Sequence, residues 1–359
     1  MKRPTEPGAL TATILDLIAE GRPFAIATVL KADHSTPVQA GAKAIIEADG
    51  TIHGTVGGGT VEAETQRLAK WVVRTGNPVV FDFDLAGPGV DEPSAICGGA
   101  MRLLVSPSSA ASHEDYRRAS AALARRERGI WLTLLWPGSE LKLEARFIAA
   151  AELGTHQGFP EAEVLRTSLA KEIPILLNSP PTGEEKQFEV FIEPLIPKPV
   201  LVIVGGGHVG QATAAQAALL GFEIAVIEDR PEFVHPKLFP PGTTTRCGPI
   251  AEELAVFPIH QDTFIVLVTR GHQQDSIALR ACIRRPAAYV GMIGSRRKVP
   301  LVRQQFLENR WATASEFERV YAPIGLDLGA ITVPEIAASI VAQIIAVRRK
   351  GAALKMSMS

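Results

Sequence analysis

The chain is short of cysteine, aromatic residues, net charge and long apolar runs. Its 359 residues hold only three cysteines, Cys97, Cys247 and Cys282, far apart and with no C-x-x-C spacing. That argues against a disulfide framework and a structural zinc site, and it fits thiols kept reduced in a cytosol. A formal net charge of −1 provides no global field for nucleic acid or an acidic membrane. No basic stripe or DNA-binding helix signature marks a nucleotide-sensing regulator. No apolar run reaches the length of a bilayer span. Lys2 and Arg3 are not followed by the apolar core of a signal peptide. The expectation is a cytoplasmic protein that binds neither membrane nor nucleic acid. What the chain does have is 46% apolar residues, enough for more than one core, and a length that suggests two domains.

The most informative stretch is 200–230. Residues 200–204 form a short, β-branched apolar run that reads as a buried strand. Gly205, Gly207 and Gly210 then fit G-x-G-x-x-G, and 209–220 reads as a helix stopped by Gly221. A second strand, 223–227, ends at Glu228 and Asp229. In such a unit the first glycine permits the tight turn, the second lets a phosphate approach the main chain, and the third lets helix and strand pack closely. The helix N-terminus offers unpaired N–H groups to an anion. Glu228 stands where an acid would meet a ribose hydroxyl. A strand, this loop, a helix and an acid ending the next strand together specify a Rossmann-type unit. They do not specify the ligand.

Elsewhere, helical spacing predicts a helix over 9–20 and strands over 24–30, 79–84, 101–105 and 130–136. Strands at 44–47 and 51–56 flank Asp49-Gly50, a type I′ hairpin signal. A helix over 61–74 is expected to start on Thr60 as its N-cap. The charged, Ala-rich segment 113–127 reads as a solvated helix. The signal weakens from 137 to 197, with short strands near 145–148 and 188–192. Prolines 194, 197 and 199 mark a linker. Beyond it α/β alternation continues, with strands over 264–268 and 288–293 and a helix over 276–285. In the last helix Thr332 and Glu335 form a capping box, Pro334 sits in the first turn, and Ile336, Ile340, Ile344 and Val347 share one face. The expected fold is α/β. A Rossmann-like doubly wound parallel sheet over 198–359 follows an α+β domain over 1–197.

Ligands of a doubly wound sheet sit beyond the carboxyl ends of its strands. Four such ends can be read here: Gly205 to His208, Glu228-Asp229, Thr269 to His272, and Gly294 to Lys298. If Ser295 caps the following helix, Arg296, Arg297 and Lys298 fall in its first turn. Cations are unfavourable there unless an anion is bound. The alternative is an ordinary solvated basic turn. His208 and His272 lie at neighbouring strand ends, as ligand contacts or as structural residues. They lack metal-ligand spacing, so no metal is expected. Gly57, Gly58 and Gly59 precede a helix and are either a second anion cradle or a tight turn. Cys97, in Ile96-Cys97-Gly98-Gly99, is either an accessible thiol of lowered pKa or a buried apolar residue. Cys247 and Cys282 read as core or near-core residues.

Taken together, these segments resemble the XdhC/CoxI family, the accessory proteins of molybdenum hydroxylases such as xanthine dehydrogenase. In the first domain the resemblance rests on Ala27-Thr28-Val29 through Ser35-Thr36-Pro37, on 54–62 (GTVGGGTVE) and on Cys97-Gly98-Gly99. In the second it rests on 205–210 (GGGHVG), Asp229-Arg230-Pro231, Thr269-Arg270-Gly271-His272 with Asp275, 291–298 (GMIGSRRK), and 323–330 (PIGLDLGA) leading into Pro334-Glu335-Ile336. The resemblance implies binding of the molybdenum cofactor, as molybdopterin in mono- or dinucleotide form. It implies support of the cofactor's sulfuration with a cysteine desulfurase as sulfur donor, delivery to the apo-hydroxylase, and a tendency to form homodimers. It thus points to an accessory protein rather than a stand-alone enzyme. Relatives often carry Cys or His directly after the first-domain glycines, where this chain has Thr60, so Cys97 remains the candidate for sulfur handling. The competing expectation is an NAD(P)-dependent oxidoreductase, supported by the glycine fingerprint and Glu228. No hydride-transfer site can be assigned in the first domain.

Overall fold

A strand whose successive side chains alternate between two helices organises the first half of the chain. The computed structural model describes residues 7–33, 35–85, 99–180 and 187–350. Cys97 lies outside the described residues. The chain divides into two units, Met1–Pro197 and Lys198–Ser359.

The first unit runs α1 (Pro7–Ala19), β1 (Phe24–Asp33), β2 (Lys43–Glu47), β3 (Ile52–Gly54), α2 (Gly59–Thr75), β4 (Val79–Asp84), β5 (Ala100–Pro107) and α3 (Ala110–Ala124). It continues with β6 (Gly129–Trp136), β7 (Lys142–Ala149), α4 (Ala162–Lys171), β8 (Ile175–Asn178) and β9 (Glu189–Leu195). Two antiparallel sheets result, ordered β3-β2-β1-β5-β4 and β7-β6-β9-β8. Because side chains alternate along a strand, Ala25, Ala27 and Val29 of β1 pack with Val61, Ala69 and Val72 of α2. Phe24 and Ile26 pack with Leu10, Ile14 and Leu17 of α1.

Three local expectations are corrected. The β2–β3 connection is not a two-residue type I′ turn. Ile46 faces Ile52, the Glu47 amide bonds to Thr51 O, and only Gly50 has positive φ, at 97°. Asp49 accepts from the Thr51 amide at 2.8 Å, favouring the longer loop. The helix after the glycine run begins earlier than its polar residue suggests: Gly58 is the N-cap of α2 and Thr60 lies in the first turn. The Ala-rich helix α3 is only partly solvated, since Ala119 and Ala122 are buried with Trp131 and Phe147.

The second unit runs β10 (Val200–Val204), α5 (His208–Leu219), β11 (Glu223–Glu228), β12 (Thr244–Cys247), α6 (Ile250–Val256), β13 (Thr263–Leu267) and α7 (His272–Cys282). Then come β14 (Tyr289–Met292), α8 (Val299–Glu308), α9 (Ala314–Glu318), β15 (Val320–Tyr321) and α10 (Val333–Lys350). Its six strands are parallel and ordered β12-β11-β10-β13-β14-β15, the 3-2-1-4-5-6 order of a Rossmann sheet. Both faces are buried, which explains the unbroken apolar run of β10. Val200, Val202 and Val204 join Leu254, Leu279 and Phe306 on one side. Leu201 and Ile203 join Ala214, Ala217, Ile340 and Ile344 on the other. Gly221, at φ 85°, terminates α5 as expected. The Glu335 half of the capping box forms, its carboxylate accepting from the Thr332 amide at 2.8 Å. No helix of the described residues is long and apolar enough to cross a membrane.

Candidate functional site

The carboxyl ends of β10, β11, β13 and β14 lie along one edge of the parallel sheet, and four of the predicted segments meet there. The glycine loop leaves β10 between its neighbours β11 and β13. A Cβ at Gly205 would sit 2.4 Å from the Val268 carbonyl oxygen, and φ there is 117°. A Cβ at Gly206 would lie 2.2 Å from Phe233 O, and one at Gly210 would lie 2.0 Å from Gly205 O. These three positions are closed by backbone. Gly207 is different: a Cβ there meets nothing within 4 Å, so this glycine borders open space. It is the N-cap of α5 and provides no side-chain cap, leaving the first-turn N–H groups without an intrahelical acceptor. His208, the first residue of α5, is exposed. The loop is therefore rigid on its protein side and open on the side where an anion would approach.

The acidic pair divides its work. Glu228 is buried and faces inward. Its carboxylate oxygens accept from the amides of Gly206 (2.9 Å), Asp229 and Arg230 (3.2 Å each) and from the Arg230 guanidinium (2.9 and 3.1 Å). Burial alone would push this carboxyl up. Those hydrogen bonds, led by Arg230, outweigh it and bring the group from 4.5 to about 2. Arg230 is held over the Phe233 ring, 4.0 Å from its centroid. The residue expected to take a ribose hydroxyl is thus already saturated by protein donors. Asp229 is the acid left at the edge. Its carboxyl is pushed up chiefly by contact with Glu228, and Arg270 opposes this through an ion pair of 3.1 Å. That pair links the end of β11 to the end of β13, spanning the loop of the strand between them.

Asp275 fixes the next loop. It is buried, accepting from the Thr269 amide at 3.0 Å and the Thr269 hydroxyl at 2.7 Å. This bracing starts α7 at His272, four residues earlier than the periodicity predicts. The basic turn departs from expectation. Ser295 is not a helix cap: α8 begins at Val299 with Lys298 as its N-cap, and the Lys298 and Val299 amides bond to Ser295 O. Arg296, Arg297 and Lys298 lie before the helix rather than in its first turn, which removes the dipole argument for a bound anion. Exposed Arg296 pairs with Asp327 instead.

Gly57, Gly58 and Gly59 belong to the first unit. All three have positive φ, and Gly58 caps α2 with no side-chain bond. Glu62, from the first turn of α2, accepts from the Val56 amide and from the Thr55 hydroxyl. The chain's own carboxylate thus stands at that helix start. Cys247, expected in or near the core, is exposed at the end of β12. It is paired in register with Glu228, and it is exposed because the polar β12 is an edge strand. Cys282 is buried as expected, and burial pushes its thiol up to about 12. Sequence reasoning assigned no role to Arg230, Arg270 or Asp327. An Arg directly after the strand-ending acids was the one available signal.

Known proteins with matching sequence or fold accord with this geometry. The XdhC Rossmann domain model matches residues 201–344, and the XdhC and CoxI family model matches residues 17–84. YqeB of Escherichia coli (strain K12) is 29% identical over 330 residues, 91% of this chain; the chain spans 44% of that relative's length. A protein of Bacillus subtilis (strain 168), described as a probable xanthine dehydrogenase subunit, is 24% identical over 347 residues, covering 94% of this chain and 97% of that one. A crystal structure of a xanthine dehydrogenase from Bacillus halodurans shares the fold, with a TM-score of 0.73 at 23% identity over 96% of both chains. With part of the first unit matched by the XdhC and CoxI family model, most of the second matched by the XdhC Rossmann domain model, and a Rossmann sheet where that model requires it, the chain belongs to the XdhC and CoxI family.

Proposed function

We propose that this protein is a cytoplasmic accessory factor of a molybdenum hydroxylase of the xanthine dehydrogenase class. In this reading it binds the molybdenum cofactor, supports its sulfuration with a cysteine desulfurase as sulfur donor, and delivers it to the apo-hydroxylase. The cofactor is cargo, and its redox chemistry belongs to the enzyme that receives it. The observation that carries the proposal is the glycine loop. It is closed by backbone at Gly205, Gly206 and Gly210 but open at Gly207, beside an uncapped helix N-terminus. That cradle suits the phosphate that molybdopterin carries in either form. Asp229 and Arg270 border it with one negative and one positive group. Family membership and the name of the Bacillus subtilis relative support the partner class.

The strand order also suits an NAD(P)-dependent oxidoreductase. The saturation of Glu228 speaks against it, because an adenosine ribose would have to compete with five N–H donors for two oxygens. The test is transfer. The protein is loaded with molybdenum cofactor, with and without a desulfurase and cysteine, freed of excess ligand, and mixed with apo-xanthine dehydrogenase. Hydroxylase activity that appears with the loaded protein, and rises with the desulfurase, is the expected result. Activation by free cofactor that equals activation by the loaded protein would overturn the proposal. In the same assay Cys97→Ser, the substitution at the remaining sulfur candidate, retains cofactor but delivers less of the sulfurated form; unchanged delivery would make Cys97 structural.

A further inference from the structure

The first unit contains a cavity that none of the preceding chemistry uses. It has a volume of about 320 Å3 and lies among α1, the chain before β2, α3 and the strands β6 and β9. Leu10 and Ile14 line its apolar end, and Tyr116 and Trp131 line it as a stacked pair with ring centroids 4.4 Å apart. Its polar corner is an ion pair between Lys43 of β2 and Glu193 of β9, whose side chains are 20% and 16% exposed. A second cavity of about 230 Å3, with more polar walls, shares Lys43, Tyr116, Trp131 and Glu193. The wall formed by the chain before β2 is pinned: the Gly41 amide bonds to Val29 O at 2.8 Å and the Val29 amide to Ala42 O at 2.9 Å.

The polar corner has bonding capacity to spare. The Tyr116 side chain lines both cavities together with the ion pair. Burial, reinforced by Glu193, pushes its pKa up, so it remains a neutral phenol that can donate and accept. The Lys43 ammonium carries three donors and the Glu193 carboxylate about four acceptor positions, and their mutual contact uses only part of each. The pair has no net charge, so it gives an ionic ligand no overall Coulombic gain to offset desolvation. It does offer a donor and an acceptor side by side. A dry cavity of roughly 150 Å3 holds one benzene ring, so this one has room for about two fused rings.

We propose that this cavity is a small-molecule site for an uncharged, planar, bicyclic ligand. Its amide-like edge, one N–H beside one C=O, would lie on Glu193 and Lys43, and its apolar end against Leu10 and Ile14. The site lies wholly within the first unit, and the proposal does not rest on the cofactor-delivery reading.

The test uses the full chain and three probes of one shape: quinolin-2-one, naphthalene and quinoline-2-carboxylate, each measured by equilibrium dialysis. Quinolin-2-one binds saturably and at least about tenfold more tightly than either other probe, the margin expected of one charge-assisted hydrogen bond. Lys43→Met with Glu193→Leu replaces the pair by apolar side chains, a change buried ion pairs commonly tolerate. In that double variant the preference over naphthalene falls to roughly onefold. Tyr116→Phe, which keeps the ring stack, weakens quinolin-2-one several-fold. Circular dichroism confirms that each variant is folded. No saturable binding of quinolin-2-one, equal or tighter binding of naphthalene or the carboxylate, or an unchanged preference in the double variant would overturn the proposal.

Discussion

Gly207 and Gly210 belong to the same motif, yet alanine at each should fail in a different way. At Gly210 a Cβ would sit 2.0 Å from the Gly205 carbonyl oxygen and 3.2 Å from Ile203 Cγ2. The carbonyl is backbone of the loop itself, so α5 must move away from β10. Overpacking of this kind costs about 1–3 kcal/mol, and a backbone obstacle puts Gly210→Ala near the top of that range. A unit of this size loses about 2–4 °C of melting temperature per kcal/mol, so a fall of roughly 6–12 °C is expected. At Gly207 a Cβ meets nothing within 4 Å, and φ is −70°, which alanine adopts freely. Alanine is a poorer N-cap than glycine, but it restricts the unfolded chain, and the two effects leave stability within about 1 kcal/mol of wild type. The methyl group does occupy the space through which a phosphate would approach the α5 N-terminus. Losing one or two charge-assisted bonds there weakens binding about tenfold to a hundredfold. Thermal unfolding by circular dichroism and cofactor retention after gel filtration separate the two outcomes. Gly207→Ala that unfolds early, or that keeps wild-type retention, would refute the reasoning.

Arg230→Met removes the strongest partner of Glu228. The low folded-state pKa of Glu228 contributes stability that is complete above about 4.5 and is lost as pH falls towards 2. At about 1.4 kcal/mol per pKa unit that contribution is of order 3 kcal/mol, so denaturant titrations at neutral pH should show the variant less stable by about 2–3 kcal/mol and its loss between pH 4.5 and 2 smaller than in wild type. Mass-spectrometric mapping after iodoacetamide treatment of the native protein should find Cys247 labelled and Cys282 untouched until denaturant is added, because one thiol is exposed and the other buried with its pKa near 12. Gln343→Leu should cost about 2–4 kcal/mol in urea unfolding, since it strips the buried Tyr289 hydroxyl of its 2.6 Å acceptor and removes both bonds that hold Gly325 to α10. An unchanged midpoint would mean that the 323–330 segment is held by other contacts.

The second unit was legible in the sequence because its strands and loops obey local rules. A β10 buried on both faces must be apolar throughout, and the glycine spacing follows from how closely backbones approach. What was not legible depended on tertiary partners. β12 reads as polar loop because it is an edge strand with exposed Thr244 and Cys247. β15 has only two residues. In the first unit, α4 and β8 fall in a stretch without clear periodicity, and β9 continues to Leu195 through a proline that reads as linker. Site chemistry diverged in the same way. The spacing of Glu228 suggested a ribose contact, but Arg230 two residues later turns it inward. Ser295 had the right chemistry for a helix cap, yet the Pro300 helix starts at Val299, beyond its reach. Nothing in the separate positions of Lys43, Tyr116, Trp131 and Glu193 announces that they line one cavity, since they come from four elements.

The central claim is that the glycine loop of the second unit holds a molybdenum cofactor rather than a nicotinamide dinucleotide. Gel filtration of the full chain after mixing with molybdenum cofactor, NADH or NADPH tests this most directly. Near-stoichiometric retention of the pterin, lost in Gly207→Ala, with neither dinucleotide retained, is the expected result. Tight retention of NADH or NADPH with no pterin would contradict it.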